Sequence, residues 1–193
     1  GAKYDVTAKK WYYKDPEDSP KFSRWKPKQG MQYEDLSNEQ KALINIAKEG
    51  KNVLVDACIG SGKTTSIQVL CDELPERKIL YLTYNRLLKV DAKSKIHNQN
   101  TFVTNYHGFA SIILRNNLIP CGGVSDLIQL IIQNRDIIKM QKYDLLLIDE
   151  YQDIDNEIAE MLQIIKKYNQ QIQIIAVGDM MQKIYDKTTL DVS

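Results

Sequence analysis

The feature that most constrains this chain is Gly60-Ser61-Gly62-Lys63-Thr64, set between an apolar stretch, Asn52-Val53-Leu54-Val55-Asp56, and a helix-patterned one from Thr64 to Glu73. A glycine-bracketed turn joining a buried strand to a helix belongs to layered α/β folds. The full run Ala57-Cys58-Ile59-Gly60-Ser61-Gly62-Lys63-Thr64 fits the phosphate-binding loop pattern, with Ala57 in place of the first glycine. Backbone N–H groups of such a loop and of the following helix start form a cradle for phosphates. Gly60 and Gly62 permit the turn and the close backbone approach. Lys63 supplies a cation for β/γ-phosphates, and the Thr64 hydroxyl suits Mg²⁺. Gly60, Ser61, Gly62, Lys63, Thr64 and Thr65 are therefore the candidate nucleotide-binding residues.

The rest of the pattern is consistent with that loop. Ser37-Asn38-Glu39-Gln40 has the form of a capping box, and Ala42, Leu43, Ile46 and Ala47 recur at helical spacing up to Gly50. Strands are expected at Lys78–Thr83, Asn100–Val103, Tyr143–Ile148 and Ile172–Val177. Helices are expected at Arg86–Ile96, Tyr106–Arg115, from a cap at Ser125 through Ile131, and at Ile154–Tyr168. Uniformly apolar strands alternating with helices imply a buried parallel sheet. The expected fold class is α/β, a three-layer P-loop NTPase with a central, mostly parallel sheet flanked by helices. Ligands of such sheets sit at the carboxyl ends of the strands. The loop, Asp149-Glu150 and Gly178-Asp179 all fall at such ends.

Asp149 and Glu150 end the apolar run Leu145-Leu146-Leu147-Ile148. Next to a phosphate loop, Asp149 suits Mg²⁺ and Glu150 suits orienting and deprotonating an attacking water. Alone, the pair would read equally well as an acidic strand terminus. Mg²⁺ keeps several waters and takes few protein ligands, so Thr64 and Asp149 suffice as the metal set. Gln182, just past Gly178-Asp179, has two readings: a γ-phosphate sensor or a solvated turn residue.

Residues 1–35 differ in texture. Both tryptophans, Trp11 and Trp25, stand here among Tyr4, Tyr12, Tyr13, Phe22 and Tyr33, with Lys9, Lys10, Lys26, Lys28 and three prolines interleaved. They read either as an irregular arm or as an aromatic, basic surface on which bases stack. Residues 36–193 form the main domain, with 111–142 as a small helical insertion. A net charge of +1 over 193 residues excludes a globally basic nucleic-acid binder and leaves room only for a local groove. Cys58, Cys71 and Cys121 are far apart, and His97 and His107 are the only histidines, so neither zinc nor a disulfide framework is expected. The expected location is cytoplasmic (nucleoid-associated) or another reducing intracellular compartment. No apolar run approaches the ~20 residues of a membrane span.

Several motifs together resemble the UvrD/Rep-type superfamily 1 helicases. Asp149-Glu150-Tyr151-Gln152-Asp153 resembles their DExQD box, and Val177-Gly178-Asp179-Met180-Met181-Gln182-Lys183-Ile184-Tyr185 their VGDxxQxIY motif. Leu36-Ser37-Asn38-Glu39-Gln40 resembles the adenine-reading Q motif, Leu82-Thr83-Tyr84-Asn85-Arg86 motif Ia, and Tyr106-His107-Gly108-Phe109-Ala110 the TFHxxA motif. The matches run from Leu36 to Tyr185 in family order.

The resemblance implies a RecA-like motor domain that uses ATP and Mg²⁺ to translocate on single-stranded DNA, 3′ to 5′. By position, Gln40 would select adenine and Gln182 would couple the γ-phosphate to DNA. Thr83, Tyr84, Asn85, Tyr106 and His107 would line the DNA path; for His107 the plainer reading is a helix-start residue satisfied locally. Three departures stand out. Asn105 replaces the usual Thr, Asp186-Lys187-Thr188-Thr189 replaces a Gly-aromatic-Arg stretch, and 111–142 is too short for the usual large accessory domain. The chain starts with Gly and ends before the family's later motifs, so a piece is expected. Its C-terminal RecA-like partner domain, which supplies arginine fingers, would lie outside it. Such a piece would be a monomer that binds nucleotide and hydrolyses it poorly. Two other readings were weighed: a non-catalytic nucleic-acid-binding P-loop module and a small P-loop kinase. Intact Lys63, Thr64 and Glu150 argue against the first, and scattered arginines against the second.

Overall fold

Leu145-Leu146-Leu147-Ile148 shows no polar alternation, and every one of these side chains is buried, so both faces of its strand are covered. The computed structural model describes residues 3–5, 10–12, 32–56, 62–84, 86–121 and 126–179. Of the residues singled out above, Ala57 to Ser61, Asn85, Ser125 and residues 180–189, Gln182 among them, lie outside these, as does most of the 1–35 arm.

The chain divides into two units, Gly1–Gly30 and Met31–Ser193. In the first, β1 (Lys3–Asp5) pairs antiparallel with β2 (Lys10–Tyr12), with Tyr4 opposite Trp11.

The second unit alternates strictly between helix and strand through its first part. α1 (Asn38–Lys48) starts on the expected capping box: the Gln40 amide donates to Ser37 Oγ at 3.3 Å, and the Ser37 amide to Gln40 Oε1 at 2.9 Å. Next come β3 (Val53–Asp56), α2 (Lys63–Asp72), β4 (Ile79–Thr83), α3 (Arg86–Lys95), β5 (Thr101–Asn105) and α4 (Tyr106–Asn116). α5 (Leu127–Gln133), β6 (Leu145–Asp149), α6 (Asn156–Tyr168) and β7 (Gln173–Gly178) complete the unit. β5 runs to Asn105, beyond the expected Val103, because its register against β4 continues through Thr104 opposite Leu82 and Asn105 opposite Thr83. The cap of α5 is Asp126 rather than Ser125: the Gln129 amide donates to Asp126 Oδ1 at 3.0 Å.

The main sheet is parallel throughout, in the order β3-β7-β6-β4-β5. This is the three-layer α/β arrangement that the strand pattern implies. One face carries α1 and α2, whose Leu43, Ile44, Ile67 and Leu70 pack on Tyr81, Leu147 and Ile175. The other carries α4, α5 and α6. Within α6, Ile158, Met161, Leu162 and Ile165 recur at helical spacing and are buried, each contributing roughly 1.5–3 kcal/mol. The described residues of 111–142 add to that layer: Ile113, Leu114, Ile128, Ile131 and Ile138 share one core with Leu80, Leu82, Leu146 and Ile148. Among the described residues no helix is long and apolar enough to cross a membrane.

Candidate functional site

The strand order brings the polar strand ends together. β7 lies between β3 and β6, with Gly178 opposite Asp56 on one side and Val177 opposite Asp149 on the other. The chain leaving β3 re-enters as α2 at Lys63, after Gly62 in the left-handed region at φ 81°. That conformation is open to glycine and strained for any side chain. Gly62 brings no side chain to cap α2, and the N-terminal end of a helix favours an anion.

Three side chains and one backbone amide from three segments meet here. Lys63 Nζ stands 3.4 Å from Glu150 Oε2. The same carboxylate oxygen accepts from Gln152 Nε2 at 2.6 Å. Gln152 is 7% exposed, and its Oε1 accepts the Asp179 backbone N–H at 3.0 Å. Gly178 allows this contact, since a Cβ there would overlap Gln152 Oε1 and the Tyr151 ring. Glu150 itself has φ 53° and ψ 48°, a left-handed conformation that costs a non-glycine residue about 1 kcal/mol or more. The turn it makes carries the chain from β6 into the short 3₁₀ turn Tyr151–Asp153.

Asp149 is buried. Its Oδ2 accepts from the Tyr81 hydroxyl at 2.9 Å and its Oδ1 from the Glu150 amide at 3.0 Å. Burial holds its carboxyl above the usual aspartate range; the Tyr81 bond opposes that shift and neighbouring Glu150 adds to it. Burial also pushes the Tyr81 hydroxyl up, with Asp149 adding to it. A desolvated carboxylate with a second carboxylate adjacent in sequence offers hard oxygen donors of the kind a divalent cation takes, and Thr64, half-buried in the first turn of α2, adds a hydroxyl of the same kind. Thr65 is likewise half-buried in the first turn of α2.

Gln40 is tied to the loop from the other side. While Oε1 serves the capping box, Nε2 donates to Ser66 Oγ at 2.8 Å and reaches the Gly62 carbonyl at 3.4 Å. Ser66 Oγ in turn donates to the same carbonyl at 3.0 Å.

The residues expected along the DNA path separate into two groups. Tyr84 is 46% exposed and His107 is exposed, both at the carboxyl ends of strands. Thr83 and Tyr106 are buried, and for these two the expectation is corrected. Tyr106 sits at the foot of α4 with its ring in the core beside Leu82 and Phe109, so it offers no surface to a strand. Asn105, where the resembled family has Thr, caps α4: the Gly108 amide donates to Asn105 Oδ1 at 3.1 Å. Both residue types serve this role, so the departure is structurally conservative.

Sequence reading missed Gln152, Tyr81 and Ser66 as site residues. Gln152 stood inside a recognised motif without a role of its own. Tyr81 became visible only when β4 was seen to lie beside β6. An open groove of about 830 Å³, lined by Arg77, Lys142, Tyr168 and Gln170 among others, lies at the opposite, amino ends of the strands.

A family model described as AAA domain matches residues 40–188, and the chain belongs to that family. No curated protein matches it by sequence. Among solved structures, it is similar to the Pif1 helicase from Candida albicans, at 22% identity and a TM-score of 0.50 over 76% of this chain and 33% of that one. It is similar to the same degree to a Pif1 helicase solved for DNA unwinding at forked dsDNA by two coordinating Pif1 helicases, at 18% identity and a TM-score of 0.50 over 76% and 34%. The chain thus spans about a third of the length of these helicases. The family model and these structures agree with the three-layer P-loop fold that the sequence pattern implies. The structures matched are titled as Pif1 helicases rather than as members of the UvrD/Rep group that the motifs resemble.

Proposed function

We propose that this domain is the nucleotide-holding motor domain of a DNA helicase, coupling ATP hydrolysis to movement along single-stranded DNA. One observation carries the reading: Lys63, Glu150, Gln152 and the end of β7 are joined by contacts of 3.4, 2.6 and 3.0 Å, at the edge where α2 begins. Hydrolysis needs a phosphate cation, a carboxylate for water and a buried acidic group at one edge.

On this reading the phosphates lie against residues 60–65 and the start of α2, and Lys63 exchanges Glu150 for phosphate oxygen. Thr64 and Asp149 would hold Mg²⁺, whose charge would neutralise that on the phosphates. Glu150 accepts a proton from water as the water oxygen bonds to the γ-phosphorus. The bond from that phosphorus to the β–γ bridging oxygen breaks, and ADP departs with the electron pair. Gln40 selects adenine, and Gln182 couples the γ-phosphate to DNA contacts at Tyr84, Asn85 and His107. Aromatic stacking and backbone contacts there would hold a strand without reading its sequence. The 3′ to 5′ polarity rests on the UvrD/Rep resemblance alone, and unwinding of duplexes with 3′ or 5′ tails decides it.

A second RecA-like domain carrying arginines completes the site in this reading, and the compartment is a reducing, intracellular one. An arginine finger contributes a factor of ~10³ or more, so the 193-residue chain alone is expected to turn over slowly. Hydrolysis of radiolabelled ATP, with and without oligo-dT, tests the reading. Slow release of phosphate that Glu150→Gln lowers about a hundredfold, to a rate still measurable, is expected. Release that Glu150→Gln leaves unchanged, or that matches the rate of an intact helicase, contradicts it.

A further inference from the structure

We propose that Gln152 is a positioning residue that fixes Glu150 for hydrolysis and ties it to the end of β7. The inference rests on the hydrolytic reading above and assigns a role to a residue that reading does not use.

The two ends of the Gln152 amide have different partners. Nε2 donates to Glu150 Oε2 at 2.6 Å, and Oε1 accepts the Asp179 amide at 3.0 Å. The side chain is 7% exposed, so neither bond competes freely with water. Glu150 has one other side-chain contact among those described, Lys63 at 3.4 Å, on the same oxygen. That is the contact a phosphate competes for. When Lys63 turns to phosphate, Gln152 becomes the group that keeps the Glu150 carboxylate from swinging out, because Glu150 is half-buried and stands on a left-handed turn with no helix or strand to confine it.

The other end of the amide makes this more than a local brace. Asp179 directly follows β7, and the chain continues from it to Gln182. A shift of the β7 end is therefore felt at Glu150 through one rigid planar amide. Gly178 closes the packing: with a Cβ at that position, Gln152 Oε1 and the Tyr151 ring would have to move. The geometry thus gives the carboxylate a position set by β7 as well as by β6.

Two substitutions separate the bonds. Gln152→Ala removes both. Gln152→Glu keeps an acceptor for the Asp179 amide but sets a second carboxylate against Glu150. Single-turnover hydrolysis with the full chain in excess over radiolabelled ATP gives a limiting rate and a half-saturation concentration separately. Both variants are expected to lower the limiting rate at least about tenfold, within the range for displaced acid–base groups, and to leave half-saturation within about threefold. In a Glu150→Gln background, Gln152→Ala is expected to add almost nothing, since its effect runs through Glu150. Thermal melting accompanies each variant, and Gln152→Glu keeps the test open if Gln152→Ala unfolds. A limiting rate within about twofold of the parent in Gln152→Glu overturns the proposal, as does full additivity with Glu150→Gln. If Glu150→Gln alone leaves the rate unchanged, the hydrolytic reading falls and this role falls with it.

Discussion

The Tyr81 hydroxyl donates to Asp149 Oδ2 at 2.9 Å between adjacent parallel strands, and both side chains are buried. Tyr81 packs its ring in the α1–α2 layer while its oxygen reaches the strand end. A core residue therefore orients the acidic group that the proposed metal needs. Support of this kind from behind a ligand fixes its direction.

That burial has a thermodynamic consequence. Asp149 is held above the ordinary aspartate value of 3.8, chiefly by desolvation. The folded chain therefore keeps this proton to higher pH than the unfolded one, so the Asp149 contribution to stability falls as pH rises from about 3.8 through the raised value. Asp149→Asn is expected to flatten that dependence and to raise the melting temperature near neutral pH by a few degrees, on the order of 1 kcal/mol. The same variant is expected to lose Mg²⁺-dependent nucleotide binding. Thermal melts across pH and in the presence of Mg²⁺ check both halves.

Tyr106 makes a test of burial against motif. Its hydroxyl is buried with no hydrogen-bond partner among the described residues, and burial pushes its pKa well up. Tyr106→Phe removes that unpaired group and keeps the ring, and is expected to stabilise by about 0.5–1 kcal/mol. Tyr106→Ala empties a core site and is expected to cost about 3–5 kcal/mol. Urea unfolding reads both. If Tyr106→Phe instead weakens single-strand binding with no change in stability, the corrected placement of this residue is wrong.

On the strand-end surface the expected contacts narrow to Tyr84 and His107. Tyr84→Ala and His107→Ala are each expected to lower affinity for a labelled oligo-dT by about five- to tenfold, the scale of one stacked base or one lost contact. Melting temperatures should stay within a degree or two, since both side chains are exposed. Fluorescence anisotropy measures the change, and unchanged affinity in both variants removes the assignment.

Gln40 serves two masters, the cap of α1 and the loop through Ser66 at 2.8 Å. Gln40→Ala is expected to cost about 1 kcal/mol through the lost capping box. It is also expected to erase any preference for ATP over GTP in competition binding. A preference that survives would make Gln40 a strut for the loop and nothing more.

Most strands were legible because they are uninterrupted apolar runs; the helices because they are amphipathic repeats, as with α1 behind its Ser37 cap, although α6 starts at Asn156 on an Asp155 cap rather than at Ile154. Asp149-Glu150 was legible as a pair at a strand end. The partners of that pair were not. Tyr81 is 68 residues from Asp149, and Gln152 is 27 from Asp179, so each contact depends on strand order, which periodicity does not encode. Motif matching also said nothing about facing. Thr83 and Tyr106 stand in motifs with Tyr84 and His107, yet the register of β4 and the first turn of α4 turn them inward. The cap at Asp126 was missed for a simpler reason: Ser125 and Asp126 are adjacent and both can cap, and only backbone geometry chooses.

The most direct test is equilibrium binding of a fluorescent ATP analogue to the chain, in Mg²⁺ and in EDTA, for the parent and for Lys63→Ala. Lys63 lies 3.4 Å from Glu150, whose carboxylate Gln152 also holds, and thermal melting of Lys63→Ala separates loss of the phosphate cation from loss of the fold. Saturable binding that EDTA weakens at least about tenfold, and that Lys63→Ala weakens about a hundredfold, is the expected result. Binding of equal strength in Lys63→Ala, or none that saturates in the parent, would contradict a nucleotide site at this edge of the sheet.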